Sequence, residues 1–142
     1  MSRDEAERLV RDYYDVFNSG DRPRFLALLA GDVVHDISQG GREIGRAAFA
    51  AFMQRMDRCY RERIENLAVM SDATGSRAAA EFVVRGVYVA TDPDLPDGIA
   101  HAAGQTYALP AGAFFTLRNG KVARISNHYN FGEWARQVGG RT

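Results

Sequence analysis

The stretch VVHDISQGG, residues 33–41, ends an apolar run on an acid: Asp36 follows two valines and His35 and precedes a glycine-rich turn. Two readings fit. An Asp before such a turn often bonds its own backbone and caps the turn. Alternatively it is a carboxylate at the mouth of an apolar pocket, where burial raises its pKa toward that of a general base. The histidines, His35, His101 and His128, share no metal-binding spacing, and a His35/Asp36/His128 set would need assembly across strands. No metal is expected. GGREIG lacks the glycine spacing of a dinucleotide loop, and no Gly-Lys precedes a Ser or Thr, so no nucleotide cofactor is expected either. The chain has no Gly-x-Ser-x-Gly nucleophile elbow. Cys59, the one cysteine, reads as a buried small hydrophobe.

The elements that must hold these residues follow from periodicity. From Ala6, apolar residues fall at Leu9, Val10, Tyr13 and Phe17, the stripe of an amphipathic helix. On that phase Tyr14 and Asp15 turn away to solvent. Gly20 can take positive φ and stop the helix; Asp21 can cap the next, with Pro23 in its first turn and Phe25, Leu28 and Leu29 on its buried face. Gly31-Asp32 turns into a short strand, Val33 to Ile37. Gly45 opens a third helix with Phe49, Phe52, Met53, Met56 and Tyr60 on its apolar face. The period then changes to two. Strands are expected at 64–70, 80–90, 105–118 (bent at Pro110) and 121–130, the last two joined by the Asn119-Gly120 hairpin. Residues 91–104 form a loop with two prolines. Phe131, Trp134, Ala135 and Val138 make a short last helix, and residues 139–142 a frayed tail. Glu81 and Arg85 share a strand face and are expected to pair.

This order predicts one α+β domain: three N-terminal helices packed as a cone on a curved, mostly antiparallel sheet, with a short C-terminal helix. The 142 residues suffice for one core. Lys+Arg and Asp+Glu are 18 each, so the formal net charge is zero. That balance argues against a nucleic-acid protein and against an anionic membrane surface as partner, and it leaves little charge to oppose self-association. The N-terminus has no apolar leader and no run reaches membrane-spanning length, so a reducing cytoplasm is the expected setting.

The stretches YYDVFNSGD and LLAGDVVHDISQGGREIGRAAFAAF resemble the ketosteroid isomerase and SnoaL-like family of the nuclear transport factor two fold. The resemblance covers nearly the whole chain. It places Tyr13 at the family's helix tyrosine, seven residues before Gly20, and Asp36 at the catalytic Asp, nine before Gly45. It also implies homodimerisation. In ketosteroid isomerase an Asp moves the proton, and a Tyr and a protonated Asp hold the oxyanion. Near Gly112 or Ala113, where that protonated Asp should fall, this chain reads AGAFF and has no carboxylate.

The resemblance therefore implies a pocket with Asp36 as base and Tyr13 as oxyanion donor. Asn127 and Tyr129 add polar groups, and Phe17, Phe52, Met56, Tyr88 and Phe115 make the apolar wall. Such a site suits a small apolar carbonyl compound and cofactor-free isomerase, cyclase or dehydratase chemistry. Two other readings stay open: a receptacle that binds without turnover, and a dimerisation module whose cone is filled by side chains. An epoxide hydrolase would need an Asp–Arg–Asp constellation in the pocket.

Overall fold

The stripe that begins at Ala6 becomes helix α1 (Arg3–Ser19) in the computed structural model, which describes residues 1–139. Of the tail expected to fray, residues 140–142 lie outside the described residues. Ser2 and Glu5 cap α1 reciprocally, and Gly20 ends it in the left-handed region at φ 80°. Asp21 accepts from the Arg24 N–H and starts α2 (Arg22–Ala27), with Pro23 in its first turn. Arg22 donates to both Asp57 oxygens at 2.8 Å, tying α2 to α3 (Arg46–Cys59). Asn18 bonds both backbone groups of Ile64, which fixes the end of α1 on the sheet.

The remaining elements are β1 (Leu29–Asp36), β2 (Arg42–Ile44), β3 (Tyr60–Ser71), β4 (Arg77–Tyr88), β5 (Gln105–Arg118), β6 (Lys121–Tyr129) and α4 (Phe131–Gln137). They form a six-stranded sheet in the order β2-β1-β6-β5-β4-β3, parallel only between β1 and β6. The fold is α+β, a cone of helices over a curved sheet.

Several expectations need correction. Strand β1 begins at Leu29 rather than Val33. Six residues from Leu29 to Val34 face only three on β6, Val122 to Arg124, so the Gly31-Asp32 turn signal is absorbed as a bulge inside the strand. The short β2 was not expected; Arg42–Ile44 pairs with Val34–Asp36. Tyr60 opens β3 instead of ending α3. Pro110 causes no break in the β4–β5 register, where it faces Val83; β6 pairing reaches only Ala111, so the missing N–H disrupts no ladder on that side. Arg85 donates to Glu65 at 3.0 Å, not to Glu81. Tyr14 is buried at 4 % exposure rather than solvated, edge-on to Tyr13 at 4.9 Å and packed on Phe82 at 4.9 Å. Two aromatic cores result. One holds Tyr13, Tyr14, Phe25 and Phe115 under the first helices; the other holds Tyr60, Tyr88, Tyr107 and Trp134 beneath α4.

Candidate active site

Between the two cores the cone encloses a cavity of about 580 Å³. The filled cone of a purely structural module is therefore not what this sequence forms. The inner faces of β3–β6 make its floor, α1 and α3 its roof, and the 37–40 and 92–96 segments its rim. Small-molecule sites run from about 300 to 1,000 Å³ with mostly apolar walls and few polar groups, and this cavity has that character.

Tyr13, Phe17, Phe52, Met56, Asn127 and Tyr129 all line it. Tyr88 and Phe115 do not. Each is fully buried one layer behind the wall, Tyr88 against Tyr60 and Trp134, and Phe115 against Tyr13 at 5.4 Å. Asp36 also lies elsewhere. Strand alternation decides this: Val33 and His35 point inward at 0 % and 2 % exposure, so Asp36 faces out. Its carboxylate accepts from Arg42 Nε at 2.7 Å and from Arg124 Nε at 2.9 Å. The Arg42 hydrogen bond, helped by Arg124, lowers its pKa to about 2. The sequence reading needed a desolvated, inward Asp36 with a raised pKa; the geometry is the reverse.

The inward residue of that strand is His35. It stacks on Phe49 at 4.3 Å, meets the Phe52 edge at 4.7 Å, and lies 3.2 Å from Asn127 Nδ2 through Nε2. Burial lowers its pKa to about 4, against a weaker upward pull from Asp36, so the ring is neutral at pH 7. Its Nδ1 is buried with no hydrogen-bond partner, as is the Tyr14 hydroxyl. Burial raises the Tyr13 phenol, opposed by Arg22, and keeps it a protonated donor across the working range.

Of the acids that line the cavity, Glu62 on β3 stands on the strand floor. Burial raises its pKa; the Tyr107 hydroxyl, which donates to it at 2.6 Å, acts the other way, and the Asp57 charge adds to the rise. Tyr107 reaches it from two strands away by lying across Gly86. A Cβ at Gly86 would sit 2.4 Å from the Tyr107 ring, so the pair requires glycine there. Nearer the mouth, Asp92 is 4 % exposed and accepts from the Tyr60 hydroxyl at 2.8 Å. Arg55 lies 3.7 Å from Asp92, bonds Asp94, and covers the Phe52 ring at 5.3 Å. Tyr129 is pushed up to about 12 by partial burial and by the Glu62 and Asp92 charges. Among the described residues no three His, Cys, Asp or Glu side chains gather as a metal centre requires.

Sequence reasoning missed His35, Glu62 and Asp92. Period two was sufficient to turn His35 inward once Val33 was assigned to the core. For Glu62 the signal was its place between Tyr60 and Ile64 on one strand face, visible only if the strand begins at Tyr60. Asp92 sits in a loop and carried no periodic signal.

A raised carboxyl, a protonated phenol and a neutral imidazole–amide pair in an apolar enclosure can move a proton at carbon and hold charge on oxygen. A family model described as a SnoaL-like domain matches residues 10–125. A candidate polyketide cyclase from Pseudomonas putida is 56% identical, with 94% of this chain and 97% of that one covered and a TM-score of 0.87. A candidate polyketide cyclase from Xanthomonas campestris is 51% identical over 96% and 98% of the two chains, with a TM-score of 0.90. An NTF2-like protein from Burkholderia xenovorans, 21% identical over 97% and 98% with a TM-score of 0.73, shares the fold. No curated protein matches the chain. No helix among the described residues is long and apolar enough to cross a membrane.

Proposed function

The chain belongs to the SnoaL-like domain family, and from that premise we propose that it is a cofactor-independent acid–base enzyme acting on a small apolar carbonyl compound. The observation that carries this reading is the half-buried Glu62 carboxyl, raised by desolvation and facing an aromatic cavity. Glu62 takes the proton from a carbon beside the substrate carbonyl. Tyr13 donates to the developing enolate oxygen, while Asn127 and Tyr129 orient the substrate against Phe17, Phe52 and Met56. In an isomerase the proton returns to another carbon. In a cyclase, the activity named for the Pseudomonas and Xanthomonas neighbours, the enolate carbon attacks a second carbonyl of the same molecule, and the new alkoxide takes the proton from Glu62. Asp36, held between two arginines outside the cavity, takes no part in this scheme.

The test is α-proton exchange into D₂O, followed by NMR over a panel of aromatic β-diketones and enones. Wild-type and Asp36→Asn protein should exchange alike, and Glu62→Gln should lose most of the rate, as general bases contribute about 10²–10⁴-fold. Full exchange by Glu62→Gln would remove the proposed base. The segment AGAFF, with no second acid, favours one other reading, a receptacle that binds without turnover. It predicts ligand affinity and no exchange.

The same proposal includes a homodimer in a reducing cytoplasm. Support for pairing comes from the outer sheet surface, where Phe114 and Met70 are each 54 % exposed and Ile44 is 65 % exposed. Sedimentation should give a dimer mass, and Phe114→Glu should shift it toward monomer.

A further inference from the structure

The lining of the cavity holds more acidic groups than its own cation offsets. The acidic lining comprises Glu62, Asp92 and Asp94 against one guanidinium, Arg55. That guanidinium is bonded to Asp94 through Nη1, and its buried Nε lies 3.7 Å from Asp92 without a hydrogen bond. The partner of Glu62 is the uncharged Tyr107 hydroxyl at 2.6 Å, and among the described residues no Lys or Arg forms an ion pair with it. Aromatic rings line the same cavity: Tyr60 and Trp134 with centroids 6.1 Å apart, and Tyr129, whose ionisation feels both the Glu62 and the Asp92 charge. A half-buried carboxylate without a cation, set among aromatic rings, is the chemistry that recognises an ammonium group. An acidic ligand would meet the buried Asp92 and the half-buried Glu62, whose repulsion solvent screens least.

We propose that the ligand of this cavity carries a protonated amine, seated between the Glu62 carboxylate and the rings of Tyr60, Tyr129 and Trp134, with its apolar body running toward Phe49 and Tyr13. The inference rests on the proposed function only in taking this cavity as the substrate site. It adds the charge of the substrate.

Three indoles of matched shape test it by calorimetry: tryptamine, the neutral tryptophol and indole-3-propionate. The expected order is tryptamine tightest and the acid weakest, with tryptamine favoured over tryptophol by about tenfold, or about 1.4 kcal/mol. Glu62→Gln should reduce that preference to below about threefold while tryptophol binding is kept. Should that variant not fold, carboxyl-carbon NMR on the wild type serves alone. Tyr107 from β5 donates to Glu62, the Asp57 charge from α3 acts on it, and the Glu62 charge in turn acts on Tyr129 from β6. With those constant, saturating tryptamine should lower the Glu62 pKa and tryptophol should not. Equal affinity for the amine and the alcohol, tighter binding of the acid, or no binding of any of the three would each overturn the inference. Amine binding without any proton exchange would keep it and remove the enzyme reading. Exchange on ketones with no preference for the amine would do the reverse.

Discussion

Replacing Gly86 by alanine should strike the Glu62 carboxyl from two strands away. The new Cβ would lie 2.4 Å from Cζ and from the hydroxyl of Tyr107, far inside the separation that non-bonded carbons tolerate. The Tyr107 side chain cannot simply swing aside, because its hydroxyl is held by Glu62 at 2.6 Å and its ring abuts Trp134 at 5.9 Å. Overpacking of this kind costs about 1–3 kcal/mol. If the ring yields, the hydrogen bond to a charged acceptor is lost, worth about 1.5–3 kcal/mol. The two routes are alternatives rather than additive, so urea unfolding should show a loss of about 2–3 kcal/mol for Gly86→Ala. The second readout is the Glu62 titration. Burial already raises this group, so the folded state binds its proton more tightly than the unfolded chain does at about 4.5. Stability is therefore lost as pH rises from the unfolded value through the folded one. Removing the Tyr107 donor takes away the hydrogen bond that favours the ionised form, so the folded pKa and the window of loss both move upward. Tyr107→Phe should give the same upward titration shift without the steric penalty at the hydroxyl. Wild-type stability in Gly86→Ala, or an unmoved Glu62 titration in both variants, would refute the account of this three-strand contact.

His35 titrates in the opposite sense. Its folded pKa is depressed from 6.5 to about 4, so its contribution is present above 6.5 and lost as pH falls toward 4. His35 should contribute about 2–3 kcal/mol to the stability gained between pH 4.5 and pH 7, read from unfolding curves as the part of the pH dependence that His35→Gln removes. Asp36→Asn removes a carboxylate lowered from 3.8 to about 2, whose stabilisation is lost as pH falls through that range. With its side chain 23 % exposed, solvent screening leaves a cost of about 1 kcal/mol at pH 7, read by thermal unfolding. Tyr14→Phe deletes a buried hydroxyl that has no partner, and calorimetry should find it neutral or more stable by up to about 1 kcal/mol.

Much of the fold was legible because its signals are local. Gly20, Asp21 and Pro23 punctuate the first two helices where the chain stops and restarts, since left-handed φ, side-chain capping and a missing N–H act within a few residues. Alternation over Gln105–Arg118 and the Asn119-Gly120 turn fixed the β5–β6 hairpin for the same reason. Gly31-Asp32 misled because a turn signal and a bulge use the same residues, and only pairing with β6 distinguishes them.

The chemistry was less legible. Six of the nine expected site residues reach the cavity, because helix and strand periodicity states which side chains share a face. Periodicity does not state which charges meet. Asp36 ends on the outer surface as an ion pair because Arg42 comes back on β2 across a local hairpin and Arg124 arrives on β6 from far along the chain, both contacts set by strand register. Glu62 faces the cavity with a hydroxyl donor because Tyr107 crosses a glycine on the intervening strand. Local sequence thus determined the elements and their apolar faces. The tertiary structure alone decided which carboxylate is neutralised by arginines and which is left desolvated, because desolvation and pairing depend on every segment that surrounds the group.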